Sequence, residues 1–299
     1  MTEATAGRKI GKERISYRML KNRLFKWGII VVSGITILPI VLIFGELLLK
    51  GYRQINLNFF TEVTPNTLEA MTAMANNEVI PGGIVNGITG TLLIVGMASV
   101  IAIPFGILVG LFLFENQGKR YAAGFIRNLS DILQGVPSIV LGLIAYLWVV
   151  KNVTSGYSAL AGSVALAIMM LPLIVRSTEE TMKMIPETLK EAGLALGAPY
   201  YKVILRVMIP TGFSGLLTGI LLGISRILGE TAPLMLTTLG NPMINWDPSG
   251  PTSAVPLLVW DFYNDPNMVD LVWSSSLFLM GFVLTLNLIS RRIAAKQKK

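Results

Sequence analysis

Six long apolar runs, separated by polar segments, dominate the pattern of the chain. A helix needs about 20 apolar residues, with a range of roughly 17–25, to cross a hydrocarbon core about 30 Å thick. Every run meets that length. The pattern therefore predicts an all-α polytopic membrane protein with six transmembrane helices, at residues 27–49, 88–114, 132–150, 159–175, 212–239 and 269–289.

Composition supports a membrane protein and excludes most kinds of catalytic and metal site. The chain is 53% hydrophobic and 14% charged, which is too apolar for an ordinary soluble enzyme. It contains no Cys and no His, so it has no disulfide, no thiolate or imidazole metal site and no Ser-His-Asp triad. The runs also contain no pair of Asp residues, which argues against an intramembrane enzyme. We expect no catalytic residue, no metal and no cofactor.

Basic residues are distributed unevenly between the two sides. Six spans put both termini on one side, and that side receives 21 of the 25 Lys and Arg residues, whereas the other side receives three, Lys50, Arg53 and Lys151. Cytoplasmic segments of membrane proteins are the basic ones. We therefore predict a multi-pass membrane protein with cytoplasmic termini. The tail 1–26 is either an amphipathic helix on the anionic inner leaflet or a solvated basic segment.

The fifth run carries Arg226 and Glu230 in its middle. An Arg at the bilayer centre costs about 2.5–3.5 kcal/mol on insertion scales, so it must face protein or water. Helical spacing would put both charges on the face of a glycine stripe and let them pair at i,i+4. The pair either locks this helix to a neighbour or lines a path for an oxyanion, which the planar guanidinium suits. Pro233 is expected to hinge or break the helix. The stripe consists of Gly212, Gly215, Gly219 and Gly223.

The polar segment 176–210 is predicted to fold as a helix–turn–helix. Pro186 suits the first position of a helix because it has no N–H to leave unsatisfied. Gly197 and Pro199 end that helix, and a second helix starts at Tyr200 and reaches Met208. The segment follows Arg176, whose position alone is explained by an anchor at the cytoplasmic surface.

The same segment resembles the EAA loop of permease subunits in binding-protein-dependent ABC importers. Glu191-Ala192-Gly193 is followed after three residues by Gly197 and after nine more by an aliphatic-x-aliphatic-Pro ending at Pro210. Gly193 replaces the usual Ala and is expected to loosen the helix slightly. The resemblance implies a type I importer permease (MetI-like) core. It also implies that Glu191, Ala192, Gly193, Gly197 and Pro210 couple the chain to a separate ATPase, which binds ATP because the chain has no P-loop pattern.

Further motifs resemble the A-type permease subunits of the bacterial phosphate-specific ABC importer over nearly the whole chain. The resemblance implies a location in the cell membrane of a prokaryote and a heterodimer with a homologous C-type permease. It also implies a cytoplasmic ATPase dimer and an external phosphate-binding protein. It also implies that Arg176 and Arg226, with Glu230 and Thr231, line the path of phosphate. The motifs are Asn58-Phe59-Phe60-Thr61-Glu62, Asp131-Ile132-Leu133, Pro137-Ser138-Ile139-Val140-x-Gly142, Ile174-Val175-Arg176-x-Thr178-Glu179 and Arg226-Ile227-x-Gly229-Glu230-Thr231-Ala232-Pro233.

The expected organisation is a basic tail 1–26, a first span with an external segment 27–84, a five-helix permease core 85–290 and a basic tail 291–299. Two alternatives stay open from composition alone. One is a permease for another oxyanion, such as sulfate or molybdate. The other is a gated anion channel, which needs neither a coupling loop nor an ATPase.

Overall fold

The computed structural model describes residues 12–117 and 121–296. Within these ranges the chain is helical, and its strand-like pairing is a single bridge between Leu239 and Thr252. The predicted all-α class is therefore confirmed. In chain order the helices are α1 (Lys12–Gly51), α2 (Leu57–Thr61), α3 (Thr67–Ala75), α4 (Val85–Glu115), α5 (Ala122–Gly135), α6 (Ser138–Ala145), α7 (Ala159–Lys183), α8 (Glu187–Ala195), α9 (Tyr200–Val203), α10 (Ile209–Thr211), α11 (Phe213–Ile227), α12 (Ala232–Thr237), α13 (Val255–Tyr263) and α14 (Val269–Lys296).

The candidate membrane spans are of two kinds. Four single helices, α1, α4, α7 and α14, are long and apolar enough to cross a membrane. Two bent pairs bring the number to six if each pair is one span. The long helices extend beyond the predicted runs: α1 begins at Lys12, well before residue 27, and α7 continues eight residues past residue 175.

The third predicted span is not one helix. It begins earlier, with α5 at Ala122, and is interrupted at Val136 and Pro137 before α6, with a bend of 104°. Pro137 has no N–H to continue the ladder, and it forces Val136 into an extended conformation with ψ at 131°. The apolar run 132–150 gave no sign of this break beyond the proline itself.

The fifth predicted span is broken near Pro233, as expected, but the break begins earlier than the proline. Helix α11 ends at Ile227, four non-helical residues follow, and α12 begins at Ala232. Pro233 lies in the first turn of α12, where its missing N–H has no cost. A second bend of 71° separates Tyr200–Thr211 from Phe213–Ile227, at Gly212.

The chain divides into two compact units, residues 1–49 and 50–299. The described part of the first unit is the helix that begins at Lys12, so residues 12–26 of the predicted tail are helical and residues 1–11 lie outside the described chain. Apolar side chains such as Ile35, Leu38 and Leu42 are exposed along it. That exposure is expected of a helix that faces lipid.

Helices α4 and α7 form the centre of the second unit. Their backbones approach closely where α4 has glycine: a Cβ on Gly106 would lie 2.7 Å from Ile174 Cγ2, and one on Gly110 would lie 2.5 Å from Thr178 Cβ. Small residues allow such contacts between helices in membranes. The buried core around this contact includes Ile94, Ala98, Ala102, Leu141, Leu166, Met170, Ile174 and Ile227.

Residues 50–84, which belong to the predicted external segment, contribute a second core within the same unit. Phe59 and Ile84 are fully buried, and they belong to one cluster with Phe262 of α13 and Leu271 of α14. Short helices α2 and α3 therefore pack with the helices that precede the C-terminus. This arrangement fixes the ends of α4 and α14.

Candidate functional site

The segment between α7 and α11 folds into the expected two short helices, α8 and α9. Gly197 follows α8 with φ at +77°, a conformation that glycine adopts without strain. Its N–H donates to the Leu194 carbonyl (2.9 Å), and the Ala198 N–H donates to the Gly193 carbonyl (3.4 Å). These two bonds satisfy carbonyls that the end of a helix leaves open. Pro186 lies immediately before the first helical residue rather than at it.

Gly193 is a packing position between the two short helices. A Cβ there would lie 3.1 and 3.2 Å from the two methyl carbons of Val203, a buried residue of α9. The missing Cβ therefore lets α9 approach α8. The expected loosening of the helix is not its main effect, because the glycine is matched to a β-branched neighbour.

The outer surface of this hairpin combines the motif residues with apolar side chains. Glu191, Ala192 and Gly197 are exposed. Beside them in the chain, Leu194, Leu196, Tyr201 and Leu205 are also exposed, Leu196 by 88%. A cluster of this kind marks an interaction surface. Pro210 lies apart from them, in α10, where the chain approaches the bend at Gly212.

A basic residue links the hairpin to the core. Lys190 Nζ lies 3.2 Å from both carboxylate oxygens of Glu115 at the end of α4. The same ammonium lies 5.6 Å from the ring centre of Phe114 and 5.3 Å from that of Tyr200. Sequence reasoning missed this contact, because 75 residues separate the two charges and neither stands out in its own segment.

A second missed feature is a shielded carboxylate on α7. The Glu179 side chain is 8% exposed, and its Oε1 lies 2.6 Å from both Arg127 Nη2 and Lys183 Nζ. Arg127 Nη2 also donates to the Leu113 carbonyl at 3.2 Å. The i,i+4 spacing of Glu179 and Lys183 was visible in the sequence. The ion pair with Arg127 on α5 could not be predicted from the sequence, because it depends on the approach of α5 to α7.

Arg176 lines a cavity of about 170 Å³ between α5 and α7, next to that carboxylate. Its Nη1 lies 3.2 Å from Asp131 Oδ1, and its Nε lies 3.4 Å from Glu180 Oε1. All three side chains are more than half exposed. Ion pairs in such surroundings contribute about 0–1 kcal/mol and exchange readily with other partners. Arg176 is thus a cation open to solutes rather than a buried structural group.

The glycine stripe of α11 is occupied by protein. A Cβ on Gly215 would lie 2.5 Å from Thr181 Cγ2, one on Gly219 would overlap Ser177 Oγ, and one on Gly223 would lie 3.2 Å from Met170 Cγ. The stripe therefore packs against α7. It leaves no room for a solute on that face.

The expected ion pair between Arg226 and Glu230 is absent. Helix α11 ends at Ile227, so the two residues do not share a helical face. Arg226 is exposed and Glu230 is half-buried. Across the described ranges no hydrogen bond or ion pair engages either side chain. Thr231, half-buried, directly precedes α12.

Arg226 and Arg176 lie at different depths of the same helix pair. Gly219 faces Ser177, the neighbour of Arg176, whereas Arg226 is seven residues further along α11. At 1.5 Å per residue this places Arg226 about 10 Å further from the coupling loop. The structure does not bring the two arginines into one cavity; it spaces them along the direction of the spans.

Comparisons with known proteins agree with this architecture. The chain is 36% identical to a phosphate transport system permease protein PstA from Yersinia pestis, over 96% of this chain and 94% of the relative. It is 34% identical to the protein of the same name from Pasteurella multocida, over 94% and 97% of the two chains. A PstA 1 protein from Mycobacterium tuberculosis is 36% identical over 72% of both chains.

The fold resembles a solved importer. A chain of the MetNI methionine ABC transporter in an inward-facing conformation matches with a TM-score of 0.59 and 20% identity, over 72% of this chain and 96% of that one. Residues 102–298 match the family described as binding-protein-dependent transport system inner membrane component. That range contains α5 to α14 and the coupling loop. The chain therefore belongs to the family of binding-protein-dependent transport system inner membrane components.

Proposed function

We propose that this chain is the A-type permease subunit of an ATP-driven importer of inorganic phosphate. The observation that carries the proposal is the similarity of 96% of the chain to a relative named for phosphate transport. The two arginines on the helix pair α7 and α11 support it, because their positions suit passage of an oxyanion. The termini and the coupling loop lie in the cytoplasm in this proposal, as the distribution of basic residues predicts.

Phosphate passes Arg226 first and Arg176 second. A phosphate that leaves water needs compensating positive charge, and a guanidinium offers two parallel N–H donors to its oxygens. Arg226 has no described partner to displace. Arg176 holds exposed carboxylates weakly, so an incoming anion can replace them and leave again.

Glu230 and Thr231 complete the phosphate site at Arg226. Hydrogenphosphate carries a P–OH donor, whereas sulfate carries none at neutral pH. An ionised carboxylate only accepts hydrogen bonds. The half-buried Glu230 therefore favours hydrogenphosphate over sulfate, and the Thr231 hydroxyl can donate to a phosphate oxygen. This assignment replaces the role of Glu230 as an anchor for Arg226.

The chain works with partners. A homologous C-type permease covers the face that carries Arg226, a cytoplasmic ATPase dimer binds α8 around Glu191 and Gly197, and an external phosphate-binding protein delivers the anion. ATP is bound by the ATPase, since this sequence has no P-loop pattern of its own.

Reconstitution of the full complex in liposomes tests the proposal. We expect uptake of radioactive phosphate that requires both ATP and the binding protein and that excess sulfate or molybdate does not inhibit. Uptake without ATP would identify a channel instead. Preferential uptake of sulfate or molybdate would identify the other permease class.

Orientation has its own test in this Cys-free chain. Ser249 and Leu196 are both exposed and lie in the predicted external and cytoplasmic segments. An impermeant thiol reagent added to intact cells should label Ser249→Cys and leave Leu196→Cys unlabelled until the membrane is opened. The reverse result contradicts the orientation.

A further inference from the structure

A second cavity, of about 350 Å³, opens where the turn after α1, the end of α3 and the start of α14 meet. That volume falls within the range of small-molecule sites. The cavity shares no lining residue with the coupling loop or with the cavity beside Arg176. Nothing in the proposed transport function uses it. Its polar lining consists of Arg53, Gln54, Asn77, Glu78, Asn267 and Asp270.

Gln54 points to a ligand in this cavity. Its side chain belongs to a residue that is 3% exposed, and its Oε1 has no hydrogen-bond partner. Buried polar atoms are almost always paired, because an unpaired one loses its bonds to water without replacement. Because Gln54 also lines the cavity, a donor group that enters the cavity can satisfy this acceptor.

The charges around this oxygen indicate which donor. Glu78 and Asp270 bring two carboxylates to the lining and Arg53 brings one guanidinium. In the described part of the chain, none of these three side chains makes a hydrogen bond or ion pair. Two carboxylates and an amide oxygen suit a primary ammonium, and the guanidinium suits a phosphate. No group of three acidic residues that could hold a metal ion occurs among the described residues.

The cavity lies at the level where membrane spans end. Gln54 is the last residue of the candidate span Tyr17–Gln54, and Asp270 lies near the start of the candidate span Pro266–Ile293. Tyr52, which also lines the cavity, is 64% exposed, and close by in the chain Lys50 Nζ lies 4.6 Å from the ring centre of Trp273. Tyr, Trp and basic side chains gather at the head-group region of a bilayer. These side chains favour a position of the cavity at the level of the lipid head groups.

We propose that this cavity binds a phosphoethanolamine group. The primary ammonium donates to Gln54 Oε1 and to the carboxylates of Glu78 and Asp270, and the phosphate lies on Arg53. The group comes either from phosphatidylethanolamine in the membrane or from free phosphoethanolamine. The proposal does not depend on the transported substrate.

Native mass spectrometry of the purified full complex tests the site with three lipids. Phosphatidylethanolamine should bind about tenfold more tightly than phosphatidylcholine, whose methylated ammonium has no N–H, and than phosphatidylglycerol, which has no ammonium. Gln54→Leu and Asp270→Asn should each remove this preference. Asp247→Asn changes an acidic residue outside the cavity and should keep it.

Two further arms make the result decisive. Gln54→Glu keeps an acceptor oxygen and should retain the preference, which separates loss of the site from loss of the fold. Free phosphoethanolamine that raises the melting temperature and displaces the lipid identifies the soluble source, and lipid binding without that competition identifies the membrane source. Equal binding of all three lipids overturns the proposal. So does a Gln54→Leu variant with a raised melting temperature and unchanged lipid preference, because the cavity then holds only water.

Discussion

Lys190 Nζ lies 3.2 Å from both carboxylate oxygens of Glu115, so the first helix of the coupling loop is joined directly to the end of α4. Both side chains are three-quarters buried. Phe114 and Tyr200 lie beside the same ammonium. Because α4 forms the centre of the core with α7, the contact connects the surface proposed to bind the ATPase with the spans.

We predict that breaking this contact separates ATP hydrolysis from uptake. Lys190→Met keeps the length and apolar stem of the side chain but removes the ion pair and the cation–π contacts, a loss of about 1 kcal/mol. The complex should assemble and hydrolyse ATP while importing several-fold less phosphate per ATP. The ratio is measured in proteoliposomes. The exchange Glu115→Lys with Lys190→Glu should recover part of it, and an unchanged ratio in Lys190→Met would show that the contact only stabilises the loop.

The glycine stripe of α11 gives a prediction about stability. Gly219→Ala places a methyl group on Ser177 and should lower the melting temperature of the complex, because the backbones must separate. Gly96→Ala is the matched control: it is also a helical glycine, and a Cβ there meets nothing within 4 Å. It should be neutral or stabilising by up to about 1 kcal/mol. Equal melting temperatures for the two variants would contradict the packing role of the stripe.

The sequence was sufficient for elements that depend on local signals. Apolar runs located the spans, because contact with lipid requires long apolar segments. The spacing around Gly197 located the hairpin, because the turn requires a glycine. The sequence was not sufficient to locate the exact end of a helix near a proline. Pro233 indicated a break in the run 212–239 but not its position: the proline lies in the first turn of a new helix, so α11 already ends at Ile227 and the predicted pairing of Arg226 with Glu230 is lost.

Contacts between distant residues were also out of reach. Arg127 reads as one of several basic residues near the cytoplasm, and only the approach of α5 to α7 makes it a partner of Glu179. The same holds for Gln54, whose buried oxygen has no signature in an ordinary polar turn. Such sites depend on which polar side chains are buried, and a single sequence does not predict that burial.

Backbone conformation at Gly197 gives a prediction that separates geometry from size. Its φ is +77°, and a Cβ there would meet nothing within 4 Å. Asn adopts this region with little cost, whereas a β-branched residue is strained by about 1–3 kcal/mol. Gly197→Asn should therefore keep ATPase binding and uptake, and Gly197→Val should lose both while the permease still inserts. Co-purification of the ATPase and uptake assays measure this. If the Val variant binds and transports normally, the turn is not part of the coupling surface.

The shielded carboxylate on α7 predicts a difference between neighbours. Glu179→Gln leaves Arg127 and Lys183 without their counter-charge and should cost about 1–2 kcal/mol, less than a fully buried pair because both cations are partly exposed. Glu180→Gln changes the adjacent carboxylate, which is 66% exposed, and should change stability by less than about 0.5 kcal/mol. Thermal unfolding of the purified complex measures both. Equal losses would mean that Glu179 is not the carboxylate that holds α5 to α7.

Arg226 gives the prediction that bears most directly on transport. The side chain is exposed and has no described partner, so removing it should not disturb assembly. Arg226→Gln keeps the size and polarity of the side chain but removes its charge, and it should abolish phosphate uptake. Arg226→Lys should restore little uptake, because an ammonium lacks the bidentate fork of a guanidinium.

The double change Arg226→Met with Glu230→Leu removes both charges together. A structural ion pair would tolerate that change, since buried pairs are often replaceable by apolar residues. The structure shows no such pair, so we expect the double variant to assemble like the parent and to transport nothing. Quantification of assembled complex and of uptake in the same preparations decides the matter: parental uptake by the double variant would place the phosphate path elsewhere.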